Sequence, residues 1–121
     1  MPQGDRVTWF KVDDGLAFHS KTIAAGNAAM GLWVRAGSWS SQHLTDGNIP
    51  KHVVRQLGNI QQAKNLVTVG LWDATDEGYC FHEWDLRNPS RADVEADRAA
   101  GAERLRKHRE RKRNQAGETD V

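Results

Sequence analysis

Asn59 to Trp84 run NIQQAKNLVTVGLWDATDEGYCFHEW. Ile60, Ala63, Leu66 and Val67 recur at helical spacing, so they can share one buried stripe. The opposite face shows Gln61, Gln62, Lys64, Asn65 and Thr68, which are polar with a single charge. Gly70 follows the last turn, where glycine commonly ends a helix. Leu71-Trp72 and Tyr79 to His82 then have the composition of two short strands, with Asp76-Glu77-Gly78 as the turn between them. A helix leading straight into a hairpin is the back half of a winged helix-turn-helix. In that reading the polar helix reads bases and the hairpin is the wing.

The preceding residues supply the front half. Val7 to Val12 (VTWFKV) is predicted to be a strand anchored by Trp9 and Phe10, and Asp13-Asp14-Gly15 a turn. A short helix is expected from His19 or Ser20, ended by Gly26. Asn27 suits the cap of a second helix running to about Gln42, with Met30, Trp33, Val34 and Gly37 at helical spacing. Thr45-Asp46-Gly47 reads as a turn and Asn48-Ile49 as a very short strand. Pro50 suits the first position of a helix over Lys51 to Leu57, and Gly58-Asn59 breaks it before the reading helix. The predicted fold is α+β, a winged helix-turn-helix domain over residues 7–87 with a C-terminal basic helical tail.

A chain of 121 residues has room for one domain and a tail. No apolar run approaches the roughly 18 residues of a membrane span, and the N-terminus has no apolar signal core. The expected location is therefore the cytoplasm, with no membrane partner. Cys80 is the only cysteine, which excludes an internal disulfide and a multi-cysteine zinc site.

The net charge of +1 averages two unlike regions. Residues 1–85 hold seven Lys or Arg against nine Asp or Glu, a net of −2, whereas residues 104–113 hold seven Lys or Arg against one Glu, a net of +6. Such asymmetry points to an anionic partner for the tail. Residues 88–113 form the basic extension, with helix-forming composition over 91–113 but only Val94 and Leu105 as sizeable apolar side chains. Residues 114–121 are expected to be disordered.

Candidate binding residues follow from this layout. Gln61, Gln62 and Asn65 carry amides that both donate and accept, as an adenine edge in the major groove requires. Lys51, Arg55 and Lys64 can hold phosphates and fix register. Arg104, Arg106, Lys107, Arg109, Arg111, Lys112 and Arg113 add sequence-independent attraction. The expected partner is double-stranded DNA. Asp73, Asp76 and Glu77 on the wing oppose a phosphate backbone. They support a second reading, a protein adaptor that docks on a replication or transcription protein.

Several of these stretches also resemble known proteins. WFKVDDG, GLWVRAGSW, HLTDG, LVTVGLW and FHEWDLRNPSRADVEA, together covering about residues 8–113, resemble small actinobacterial-phage proteins. More loosely they resemble the N-terminal winged-helix domain of phage replisome-organiser and helicase-loader proteins. The resemblance implies a winged-helix fold and a role in phage DNA replication or its control. Replisome organisers carry a second helical domain with no counterpart in these residues, so DNA binding or an adaptor role is expected rather than helicase loading.

Enzymatic chemistry finds no support. Cys80 and His82 share a strand face but are only two ligands, and none of the five histidines completes a zinc site. The glycines lie at helix ends and turns, so no phosphate loop is formed, and no serine has a nucleophile elbow. No cofactor, metal or catalytic residue is expected.

Overall fold

A computed structural model describes residues 8–119 of the chain. They fall into two compact units, divided between Ser90 and Arg91. In the first, a 3-10 turn (Leu16–Phe18) leads into α1 (Ser20–His43), β1 (Asn48–Pro50), α2 (Lys51–Leu57) and α3 (Ile60–Val69). Strands β2 (Trp72–Ala74) and β3 (Gly78–Phe81) and a short α4 (Trp84–Arg87) complete it. The second unit contains α5 (Arg91–Thr119). The fold is α+β, helices with one small antiparallel sheet.

Helix α1 contains the expected break. Gly26 has φ 81° and ψ 162°, outside helical space and in a region essentially reserved for glycine. Beyond it the buried positions are Ala29, Met30, Leu32, Trp33, Ala36, Gly37, Ser40 and Ser41, a stripe of helical period. Val34, expected within that stripe, is 44% exposed. Leu32 and Ala36 define the true centre of the face, and Val34 lies about 180° of helical rotation from it.

Ser40 shows how the end of α1 sets the first strand. Its buried hydroxyl lies 2.6 Å from Thr45 Oγ1 and accepts a hydrogen bond from Gly47 N at 2.8 Å. The Thr45-Asp46-Gly47 turn is thus folded onto the helix, as expected, and delivers β1. Pro50 caps α2 rather than occupying its first position.

The sheet order is β1-β3-β2, with Ile49 opposite Tyr79 and Trp72 opposite Phe81. Strand faces alternate, so these four side chains share the core face, where all are buried. Asn48, Asp73 and Cys80 lie on the outer face. Strand β2 starts one residue later than expected, at Trp72, and β3 one residue earlier, at Gly78, because the turn is Thr75 to Glu77, closed by Thr75 N donating to Gly78 O at 2.9 Å.

Two expectations in this unit are corrected. No strand forms over residues 8–12, and Val7 lies outside the described residues. The segment is instead pinned by Thr8 Oγ1 donating to Ser41 O at 2.9 Å and by Lys11 N donating to Asn88 Oδ1 at 3.0 Å. Trp9 is no anchor, being 74% exposed. Phe10 alone anchors the segment: its ring lies over Gly37, where a Cβ would collide with it, and 4.9 Å from the Trp33 ring. Trp84, at the end of the expected apolar pattern, is buried and stacks on Phe10 at 5.7 Å.

Helix α5 continues through residues 114–119, which were expected to be disordered, while 120–121 lie outside the described residues. Pairs such as Arg91–Glu95 at 2.9 Å support it along its own surface, each by about 0.2–0.5 kcal/mol. Val94 is its one buried apolar side chain among the described residues.

The principal core cluster runs from Ala25 to Trp84 and includes no residue of α5. A chain ending at Ser90 is therefore expected to unfold cooperatively, with a midpoint close to that of the full chain in a thermal melt followed by tryptophan emission. A midpoint lowered by more than about 8 °C, roughly 1–2 kcal/mol for a domain of this size, would show that α5 is part of the cooperative unit.

Candidate nucleic-acid interface

Helix α3 packs against α1 and buries Ala63 and Leu66. At 100° per residue, the face opposite these two is centred on Gln61, Lys64, Asn65 and Thr68, and all four are exposed. Gln61 Nε2 donates to Asn65 Oδ1 at 3.1 Å, so the two amides are held side by side one turn apart. The Asn65 amide nitrogen and the Gln61 amide oxygen make no hydrogen bond among the described residues. Thr68 back-bonds to Lys64 O at 2.9 Å and belongs to the same face, although base-reading chemistry did not single it out.

Gln62 leaves the set of candidate base readers. Its Oε1 accepts from Asn59 N at 3.0 Å, while Gln62 N donates to Asn59 Oδ1 at 2.8 Å. This is a complete capping box, which satisfies two otherwise unpaired donors at the start of α3. The signal was present in the sequence, an Asn followed three residues later by Gln just before an apolar stripe.

The C-terminal ends of α2 and α3 are further held by cations that sequence reasoning did not assign. Arg35 Nη1 donates to Leu57 O at 2.8 Å, tying α1 to the end of α2 just before the α2–α3 turn. Lys21 Nζ lies 3.4 Å from Gly70 O, at the left-handed cap that ends α3. Cations at helix C-termini interact favourably with the exposed carbonyls.

Lys51 and Arg55, four residues apart, share the face of α2 opposite buried Val53 and Val54, and both are exposed. The backbone N–H of Lys51 donates to Glu77 O at 3.2 Å, which puts this residue beside the acidic hairpin turn. Asp73, Asp76 and Glu77 are all exposed there. On the outer face of the sheet, His82 Nδ1 lies 3.2 Å from Asp73 Oδ2 and its Nε2 lies 3.6 Å from Glu83 Oε1. Burial, and then the Asp73 carboxylate, push the Cys80 thiol pKa up, partly offset by a backbone hydrogen bond at Asp73. A neutral thiol at neutral pH follows. Among the described residues, no three His, Cys, Asp or Glu side chains are placed to hold a metal ion.

On α5, Arg104, Lys107 and Arg111 fall on one face at i, i+3 and i+7. Arg109, Lys112 and Arg113 lie around the other side. Arg106 is not free for a phosphate. It donates to Glu103 Oε1 at 2.6 Å and to Glu110 Oε1 at 2.7 Å, and the Glu103 hydrogen bond raises its pKa further. Six of the seven basic residues thus remain without a described carboxylate partner.

No protein family, curated protein or solved structure matches the chain. The site is therefore read from its own geometry. No helix among the described residues is long and apolar enough to cross a membrane.

The two amides assigned to α3 have separable tests. Gln62→Ala is expected to destabilise the protein by about 1 kcal/mol through loss of the cap, read as a lower urea midpoint with an unchanged slope. Gln61→Ala, on the exposed face, is expected to leave that midpoint within about 0.5 kcal/mol. Equal effects of the two changes would remove the structural distinction between them.

Proposed function

We propose that residues 8–90 form a winged helix-turn-helix domain that binds double-stranded DNA, with α3 as the reading helix and β2–β3 as the wing. The observation that carries this reading is the outward face of α3. Gln61, Lys64, Asn65 and Thr68 are exposed together, without a carboxylate, on a helix held by a capping box and a left-handed cap. The element order α1-β1-α2-α3-β2-β3 supports the same fold.

The chemistry follows from that face. An amide side chain can pair with N6 and N7 of adenine at once, and the Gln61–Asn65 hydrogen bond reduces the rotamer entropy lost on contact. Lys64 adds a positive charge beside them. Lys51 and Arg55 serve phosphate contacts, which fix register and carry no base identity. The helix α5 supplies most of the electrostatic affinity. The resemblance to phage replisome-organiser domains supports a role in phage DNA replication or its control, inside the bacterial host cell. No catalytic step is assigned to any residue.

One observation favours a second reading. The exposed carboxylates of Asp73, Asp76 and Glu77 surround the hairpin turn, where a phosphate-tracking wing needs Lys or Arg. In that reading the hairpin and α5 dock on a replication or transcription protein. Pulldown from host lysate with and without nuclease separates the two. Capture that survives nuclease treatment supports the adaptor, and capture abolished by it supports DNA.

Base reading predicts selective losses. In anisotropy titrations, Gln61→Ala or Asn65→Ala is expected to weaken binding to a selected duplex by about 1–3 kcal/mol while binding to random duplex barely changes. Lys51→Ala and Arg55→Ala are expected to weaken both duplexes alike. Equal losses on selected and random DNA for the amide variants would sink the reading role of α3.

Helix α5 is expected to set the salt dependence. With Arg106 ion-paired and the other six cations distributed around the helix, about three can face one duplex together. Each phosphate contact contributes a slope of roughly −0.9 in log affinity against log salt. Deleting residues 91–121 is thus expected to make the slope shallower by roughly three units and to leave the ratio of selected to random affinity nearly intact. An unchanged slope would reduce α5 to a solubilising helix.

A further inference from the structure

Away from the outward face of α3, a cleft of about 150 Å³ opens between the segment entering α1 and the junction of α3 with β2. Every residue lining it belongs to the unit spanning Thr8–Ser90. Its apolar lining includes Phe10, Leu16 and Leu71, each only partly buried and packed against the core. Trp33, Phe81 and Trp84 back that lining with further ring surface.

The charged lining is one-sided in what it leaves unengaged. Of its two carboxylates, Asp13 accepts from Gly15 N at 2.7 Å and Glu83 lies 3.6 Å from His82 Nε2. Its three strong cations are Lys11, Lys21 and Arg87. Lys21 has only the Gly70 carbonyl, at 3.4 Å, and the side chains of Lys11 and Arg87 have no carboxylate partner among the described residues. A void of about this size has room for a single aromatic ring. A few placed polar groups in a pocket orient its ligand, and an unpaired guanidinium favours a carboxylate through two parallel hydrogen bonds.

We propose that this cleft binds a small aromatic carboxylate, with the ring against Phe10, Leu16 and Leu71 and the anionic group at Arg87 and Lys11. The ring removes apolar wall from water, and the carboxylate neutralises cations that line the cleft without a carboxylate partner. Aliphatic acids lack the first contribution and neutral aromatic amides lack the second. The cleft reaches Gly70 and Leu71, the residues that end α3, so occupancy is registered at that end of the helix.

The test uses the full chain and sodium benzoate, with benzamide and acetate as the neutral and ringless comparisons. Binding is followed by tryptophan emission and by amide shifts in two-dimensional NMR, without DNA, so it stands apart from the DNA-binding reading. Benzoate is expected to saturate with a dissociation constant on the order of 0.1–1 mM and to move the Gly70 and Leu71 amides. Benzamide and acetate are expected to bind at least about fivefold more weakly, and Arg87→Gln or Lys11→Gln to weaken benzoate by about three- to tenfold. Leu16→Trp, which fills the cleft, is expected to abolish binding. Should that variant fail to fold, the shift map of the unmodified chain decides the location. Absence of saturation, equal affinity for acetate or benzamide, or shifts remote from Gly70 and Leu71 would each overturn the proposal.

Discussion

The ring of Phe10 joins parts of the chain that no regular hydrogen-bond ladder connects. It sits 4.9 Å from Trp33, 5.5 Å from Phe81 and 5.7 Å from Trp84, with the open side of Gly37 beneath it. The N-terminal segment, α1, β3 and α4 therefore meet at one side chain. Aromatic pairs of this kind contribute about 0.5–1.5 kcal/mol each beyond their buried area. The cluster also shapes the rest of the unit. It holds the end of the sheet against α1, and α1 in turn supports α3 through Ala63 and Leu66. The same ring lines the cleft, so its partial exposure belongs to that opening rather than to a packing fault.

In the DNA-binding reading, recognition and attraction lie on different elements. The outward face of α3 carries two amides, a hydroxyl and one lysine, which suits discrimination but provides little long-range attraction. The strongly cationic stretch lies on α5, in a separate compact unit. In the DNA-binding reading such a division lets affinity be tuned by salt without altering base preference. The exposed carboxylates of the hairpin work against phosphate contact at the wing. Within this unit they leave α2 and α3 to the proposed interface.

Much of the element order was legible because local chemistry marks it. Gly26 interrupts a helix wherever the chain adopts its positive φ, and Asn59 with Gln62 announces a helix start through a capping box. Alternation in the hairpin puts Trp72, Tyr79 and Phe81 on one face, as their composition suggests. The errors occurred where a side chain had two local choices of equal merit. Trp9 and Phe10 are both large and apolar, yet only Phe10 points to the space above Gly37. Gln61 and Gln62 are chemically identical, but about 100° of helical rotation sends one to solvent and the other to the cap. Arg106 resembles its basic neighbours in composition, and two glutamates within one turn occupy it.

The sequence by itself determined the α+β order of elements, the polar character of α3 and the separation of a basic segment from an acidic domain. These depend on periodicity, capping chemistry and charge counts within a few residues. Only the tertiary structure decided which of the amides face outward together, that Trp84 closes the core, and that Lys11, Lys21 and Arg87 meet around one cleft. Lys11 and Arg87 stand 76 positions apart in the chain. Such proximity arises from packing between distant segments, which leaves no periodic mark in either one.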